Sequence, residues 1–177
     1  MTNAEPAIFY GAAIQGEKSL GGRAIVHETL IRAMRNRGFR VLLDHTGGRD
    51  RESISTRMED SLGELPPYGT QERRRIVRDR LIDMIEGDIC GAVFEVSTPS
   101  LGTGVEITHA CLRPRLGFPA IPILLLYEEG FWEHDLSTMI AGIERPEDPT
   151  VHLVRYRDLP HAEEELLCFL ASLYKKK

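Results

Sequence analysis

A regular alternation of short apolar runs with segments of helical period most constrains the fold of this chain. The apolar runs have the length and β-branched content of strands, and lie at residues 7–14, 39–43, 89–96, 121–127 and 151–156. Segments with apolar residues at helical spacing lie at 23–37, 71–86, from about Thr103 to before Pro114, at 131–143 and at 162–174. Near-continuous apolar strands separated by helices are typical of parallel sheets covered on both faces. The pattern therefore predicts an α/β fold with a five-stranded parallel sheet.

The length of the chain is that of one domain. Its 177 residues, 42% of them hydrophobic, suffice for one real core and would be cramped as two. We therefore interpret residues 1–177 as a single domain. Residues 46–70 carry four glycines and two adjacent prolines with little periodicity, which indicates a long loop or lid. A short helix over residues 55–62 is the alternative for part of that segment.

Composition argues against several classes of partner. Lys and Arg number 22 against 27 Asp and Glu, so the net charge of −5 gives no reason to expect binding to nucleic acid or to an anionic membrane. No apolar run approaches the roughly 20 residues that span a bilayer, and no leader-like segment precedes the first strand, so we expect a cytoplasmic protein. The three cysteines and the histidines lack metal-ligand spacing. We expect reduced cysteines in or near the core, and neither a metal site nor a cofactor.

Ligands of parallel α/β proteins bind outside the carboxyl ends of the strands. Here those ends are expected at residues 12–16, 44–48, 97–104 and 127–130. The third is the most informative, because an apolar run breaks there into a Ser/Pro/Gly loop and resumes as a helix. Free N–H groups at the start of that helix would favour an anion.

The same stretch carries a family resemblance. Residues 95–106 read EVSTPSLGTGVE, and this resembles the 2′-deoxynucleoside 5′-monophosphate N-glycosidases of the nucleoside 2-deoxyribosyltransferase superfamily, whose pattern here is EV-x-x-PSLG-x-G-x-E. Residues 9–16 resemble the first strand and "GSIRG" loop of that family, and residues 136–142 resemble its "LSAMIRG" segment. Asp79 lies on the helix before the third strand, as the family pattern implies.

The resemblance implies a Rossmann-like (flavodoxin-like) fold and a homodimer that cleaves the N-glycosidic bond of a small-molecule nucleotide. Glu106 would be the nucleophile at C1′, and Asp79 an acid/base or sugar-positioning group, with Asp83 as its competitor. Ser100 would bind the phosphate, and Ser137 would reach it from the neighbouring subunit. The remaining substrate-binding candidates are Tyr10, Gly11, Ile14, Gln15, Gly16, His45, Ser97, Gly102 and Gly104.

The chemistry of glycosyl transfer supports two carboxylates separately from the resemblance. A retaining enzyme needs one ionised carboxylate at the anomeric carbon and a second group for the proton, about 5–5.5 Å apart. Simpler interpretations exist for each residue. Glu106 could complement the helix dipole, Asp79 could belong to a charged surface beside its flanking arginines, and Ser100 and Ser137 could serve a turn and a helix cap. Phe9 and Tyr10 are expected in the core, and His27 on a helix surface.

The first loop departs from the family pattern. This chain has Ala13 and Gln15 where the family offers Ser and Arg for the phosphate. An arginine is the side chain best suited to bidentate phosphate binding. Either Arg23, Lys18 or an arginine among residues 73–75 takes its place, or the substrate carries no 5′-phosphate.

The expected function is hydrolysis of (2′-deoxy)nucleoside 5′-monophosphates to free base and sugar 5-phosphate. Transfer of the sugar to another base is the closest alternative. A second enzymatic alternative is a glycohydrolase acting on NAD, as in the related TIR-type fold, and a third reading is a nucleotide-sensing module without turnover.

Overall fold

A five-stranded sheet forms the centre of the protein in the computed structural model, which describes residues 5–14, 23–131, 136–145 and 149–174. The strands are β1 (Ala7–Ala12), β2 (Arg40–Leu42), β3 (Gly91–Glu95), β4 (Ile123–Glu128) and β5 (Val151–Tyr156). The helices are α1 (Ala24–Asn36), α2 (Arg51–Leu62), α3 (Gln71–Glu86), α4 (Leu101–Leu112), α5 (Thr138–Ala141) and α6 (Leu159–Tyr174), with 3₁₀ turns at His45–Gly47 and Arg113–Leu116.

All strand pairs are parallel, in the order β2-β1-β3-β4-β5. The α/β Rossmann-like fold predicted from the sequence is confirmed. The chain moves from β1 to β2 on one side and then returns to build β3, β4 and β5 on the other. The crossovers diverge between β1 and β3, and such a divergence opens a crevice at the carboxyl ends of the two strands.

The two faces of the sheet bury separate apolar clusters. Along β1, Ile8 and Tyr10 face a cluster shared with α1 and α6, whereas Phe9 faces a cluster shared with α3 and α4. This alternation follows from the two-residue period of a strand. Each fully buried large apolar side chain, such as Leu126 at 0% exposure, contributes about 1.5–3 kcal/mol. Phe9 and Tyr10 are in the core, as predicted.

Helix α4 begins earlier than the sequence indicated. Ser100 is its N-cap, and the Ser100 Oγ accepts a hydrogen bond of 3.3 Å from the backbone N–H of Thr103. The glycines at 102 and 104 suggested a longer loop, but both lie in the first turns of the helix. Pro114 follows the helix in a 3₁₀ turn, as a residue that cannot continue it.

Residues 51–62 form α2, so the prediction of a long loop is wrong for them, and the alternative of a short helix over residues 55–62 is confirmed. Asp50 and Ser53 form a reciprocal capping box at the start of α2. Ile54 and Leu62 are buried eight residues apart. The Arg73 Nη1 of α3 forms an ion pair of 2.9 Å with the Glu59 Oε1 of α2, which links the two helices. The apolar positions of α2 are too few for its helical period to stand out in the sequence.

The helix predicted over residues 131–143 is wrong in extent. Within the described part of this segment only α5, four residues long, is helical, and residues 132–135 lie outside the described ranges. None of the helices among the described residues is long and apolar enough to cross a membrane. Cys90 and Cys111 are half-buried, whereas Cys168 is exposed rather than in the core.

Candidate functional site

Glu106 lies at the crevice between β1 and β3. It projects from the second turn of α4, and its carboxylate lies over Gly11 of β1. A Cβ atom built on Gly11 would meet the Glu106 Oε2 at 2.9 Å and the Phe94 ring at 2.6 Å. The absence of a side chain at position 11 therefore lets the carboxylate reach the strand.

The Glu106 carboxylate is half-buried, and no side chain or backbone group of the described residues donates a hydrogen bond to it. Burial raises its pKa from the ordinary value near 4.5 to about 7. A first-turn acid that only complements the helix dipole would lie in solvent and keep an ordinary pKa. An unpaired carboxyl in an apolar environment beside a crevice is instead typical of functional sites.

The start of α4 presents open backbone to the same edge of the sheet. A Cβ on Gly104 would meet nothing within 4 Å, and one on Gly102 only the Ser100 Oγ at 3.7 Å. Ser100 is half-buried. A ligand could therefore approach the first N–H groups of the helix closely, which is the arrangement that binds anions.

An apolar groove of about 790 Å³ runs along one flank of α4. Ser97, Ser100, Gly104 and Ser137 all line it, so one chain brings these predicted residues together. Ser137 is exposed and is the N-cap residue of α5, without a side-chain cap bond. Glu106 projects from a different flank of α4 and is not part of the lining.

Three strongly exposed apolar side chains border this groove. Leu101 is 94% exposed, Val105 55% and Met139 83%. Apolar side chains clustered around a concave apolar surface are typical of protein interfaces rather than of a solvated face.

Arg23, one of the candidates for binding phosphate, is already engaged within the protein. Its side chain is 3% exposed and its Nη2 lies 2.6 Å from the Glu95 Oε1, while its Nη1 donates to Glu128. Its Nη2 also donates to the Tyr156 hydroxyl at 2.5 Å. Although burial disfavours the charged form, these carboxylates raise the pKa of Arg23 above its ordinary value. The guanidinium is therefore not a free phosphate ligand.

Ser97 belongs to the same network. Its hydroxyl donates to Glu95 and accepts from the backbone N–H of Glu128 at 2.7 Å. It is 1% exposed. Burial raises the pKa of Glu95, and the Arg23 guanidinium opposes that rise. The sequence signal for this network is Glu95, a charged residue inside the apolar run of β3. In the sequence, Glu95 was interpreted only as part of the family pattern.

Tyr10 lies in the core, as predicted, and His27 lies deeper than predicted. Tyr10 is 0% exposed, and its hydroxyl lies 2.7 Å from the His27 Nδ1. His27 is therefore buried, and the prediction of a surface histidine is wrong. Burial, with Arg23 nearby, lowers the pKa of His27 to about 3. Since Tyr10 is enclosed on all sides, the structure does not bring it to a ligand.

The end of β2 contributes buried polar atoms without partners. His45 is 4% exposed, and burial lowers its pKa to about 4, so its ring is neutral. Among the described residues neither the His45 Nδ1 nor the Thr46 Oγ1 has a hydrogen-bond partner, and the same holds for the Thr98 Oγ1 after β3. Orphaned polar atoms at the carboxyl ends of β2 and β3, on either side of β1, suit contact with a polar ligand or with water. Thr46 and Thr98 were not singled out in the sequence.

Among the described residues, no hydrogen bond or ion pair joins Asp79 to Glu106. Its side chain is 54% exposed, and its Oδ1 accepts from Arg78 at 2.9 Å. Asp83 is also exposed. Ile14 is half-buried at the end of the first strand, whereas Gln15, Gly16 and Lys18 lie outside the described residues. The assignment of the second carboxylate stays a prediction.

Within the described ranges no group of three or more His, Cys, Asp or Glu could hold a metal ion. The fold and the site together define a parallel α/β protein with a half-buried glutamate at its strand-end crevice, to which no described residue donates a hydrogen bond. Comparison of the sequence with models of known protein families and with curated proteins finds no match.

Proposed function

We propose that this protein hydrolyses the N-glycosidic bond of (2′-deoxy)nucleoside 5′-monophosphates, with Glu106 as nucleophile. The observation that carries the proposal is the half-buried Glu106 carboxylate over Gly11, at the crevice between β1 and β3. The open N-terminus of α4 beside it supports an anionic group on the substrate. These features agree with the roles that the sequence motif implies.

The reaction has two steps in this proposal. A Glu106 oxygen bonds to C1′ while the C1′–N bond breaks, and the base leaves with the electron pair and takes up a proton. Water then bonds to C1′ while the bond from C1′ to the Glu106 oxygen breaks, which restores the carboxylate and returns a proton. A carboxylate held out of water stabilises the positive charge that develops at C1′ more strongly than a solvated one does.

Asp79 is the proposed proton carrier, with Asp83 as the alternative. Asp79 is paired with Arg78 in the structure, so the proposal requires it to turn towards the substrate. Replacing each aspartate by asparagine separates the two assignments, because only the proton carrier should lose base release.

The proposal also includes a homodimer formed through the groove beside α4. The exposed Leu101, Val105 and Met139 around a concave apolar surface support it. Ser137 borders this surface, so association would place serines of both copies near each other.

The decisive experiment measures free base after incubation with a panel of nucleosides and their 5′-monophosphates. We expect base release from monophosphates, and its loss in Glu106→Ala, with the circular dichroism of the fold retained. Full activity in that variant would exclude the mechanism.

Addition of an acceptor base distinguishes hydrolysis from transfer, because transfer produces a new nucleoside. Nicotinamide release from NAD, or ligand binding without turnover, would favour the other two alternatives.

A further inference from the structure

Four side chains form what we call the arginine cluster: Arg23, Glu95, Glu128 and Tyr156. The Tyr156 hydroxyl lies 3.1 Å from the Glu95 Oε1 and 3.3 Å from the Glu128 Oε2, so all four are joined. The cluster connects the start of α1 with the carboxyl ends of β3, β4 and β5. It lies at the sheet edge that holds the candidate site.

Arg23 is placed against its local preferences. It occupies the N-cap of α1, where it makes no side-chain cap bond and its charge opposes the helix dipole. It is buried with two carboxylates, and a buried ion pair is weak evidence for stability because both charges lose their hydration. Residues that break local rules in this way are expected at functional sites.

The contacts of the cluster reach the loop that carries the site. Glu95 holds the Ser97 hydroxyl and also accepts the Ser97 backbone N–H at 3.2 Å. Ser97 begins the loop that leads to Ser100 and then to Glu106. The Arg23 guanidinium also stacks on Phe131, 4.3 Å from its ring centroid, just after β4. Arg23 thus holds the segments that follow β3 and β4.

We propose that Arg23 is a positioning residue, which acts through Glu95 and Ser97 to hold the loop before α4 so that Ser100 and Glu106 face the substrate. This inference rests on the proposed function for its role in catalysis, but its effect on the loop is independent of the substrate. Arg23 binds no phosphate in this arrangement. Its positive charge is already paired with the carboxylates of Glu95 and Glu128.

The test separates loop positioning from charge balance. Arg23→Met alone leaves the buried Glu95 and the half-buried Glu128 without their cation and is expected to lower the unfolding temperature. Arg23→Met combined with Glu95→Gln and Glu128→Gln removes all three charges and should restore that temperature. The amides of Ser97, Thr103 and Gly104 should still exchange hydrogen at least about tenfold faster than in Glu95→Gln with Glu128→Gln, which keeps Arg23, so that the loss of the Glu95 carboxylate is common to both variants.

Catalysis is the second measurement on the same variants. With the fold restored, kcat/KM for base release should stay at least about tenfold low, since a displacement of about 1 Å can cost about 100-fold. Recovery of both kcat/KM and amide exchange in the triple variant would overturn the inference and leave Arg23 a purely structural residue. Arg23→Lys keeps the charge but loses the two-pronged contact, and should show the same faster exchange. Amide exchange in Arg23→Lys as slow as in the unmodified protein would also overturn the inference.

Arg113 provides the matched control. It is 2% exposed and donates to the carbonyls of Ile85, Gly87 and Pro119, remote from the strand ends that hold the site. Arg113→Met should lower the unfolding temperature without faster exchange at Thr103 and Gly104. If the unmodified protein releases base from no nucleoside or nucleotide, the proposed function fails, whereas the exchange measurement still decides the role of Arg23.

Discussion

Gly11 is the residue on which the position of Glu106 depends. A Cβ there would lie 2.9 Å from the Glu106 Oε2 and 2.6 Å from the Phe94 ring. Gly11→Ala should therefore displace the carboxylate and lower base release by about 100-fold. It should also cost about 1–3 kcal/mol of stability through overpacking against Phe94.

Gly91→Ala is the control for this substitution. Gly91 lies at the other end of β3, where a Cβ would be 3.3 Å from Leu173 and Pro122, so stability should fall while base release is kept. The comparison of kcat/KM with the free energy of unfolding distinguishes the two sites. Equal activity losses in both variants would contradict a specific role of Gly11.

The protonation of Glu106 links stability to pH. Its pKa in the folded protein is about 7 against an ordinary value near 4.5, so the folded state binds more protons than the unfolded state between these values. Its contribution to stability is therefore lost as pH rises from 4.5 to 7. Glu106→Gln should raise the free energy of unfolding at pH 8 by about 2–3 kcal/mol and leave it nearly unchanged at pH 4.5, while abolishing base release.

Urea unfolding at the two pH values measures this effect. The exposed Glu164 is the control, since Glu164→Gln should change stability little at either pH. A Glu106→Gln protein without gain at pH 8 would show that the carboxylate is solvated rather than buried.

At the scale of the element, the start of α4 combines a cap with a predicted phosphate site. The Ser100 Oγ caps the helix through Thr103, so Ser100→Ala should cost about 1 kcal/mol of stability. Ser100→Asp keeps a good cap residue but adds a negative charge. We expect this variant to keep its stability and to raise KM for the monophosphate at least about tenfold, a cost of about 1.4 kcal/mol.

Steady-state kinetics with a monophosphate and with the matching nucleoside measures this separation. The nucleoside lacks the phosphate, so its KM should not respond to the aspartate in the same way. An unchanged KM for the monophosphate in Ser100→Asp would remove Ser100 from the phosphate site.

At the scale of the whole molecule, the groove beside α4 leaves a large apolar surface in contact with water. Leu101 and Val105 protrude next to it. Val105→Asp should convert the proposed dimer into a monomer, because a charge in an apolar contact loses its hydration without a partner. Light scattering across a range of concentrations measures the mass. Tyr68→Asp, at an exposed apolar residue outside the groove, is the control.

Most of the architecture could be predicted because its signals are local. Near-continuous apolar strands gave the parallel sheet, and the bounds of α3 and β5 agree with the helical period and the apolar run read from the sequence. Helix α2 was predicted only as an alternative and only over residues 55–62, because its few apolar residues hide the period, although the spacing of Asp50 and Ser53 marks its start. The short α5 was overestimated because apolar spacing cannot distinguish a helix from a loop that packs.

The sequence by itself determined the fold class, and it singled out one edge of the sheet and Glu106 as candidates for a site, because each depends on short spacings along the chain. Only the tertiary structure decided that Arg23 pairs with Glu128, 105 residues away, and that Tyr10 and His27 bond to each other inside the core. It alone placed the Glu106 carboxylate over Gly11, where burial raises its pKa. Burial and charge pairing arise between distant residues, and periodicity carries no information about them.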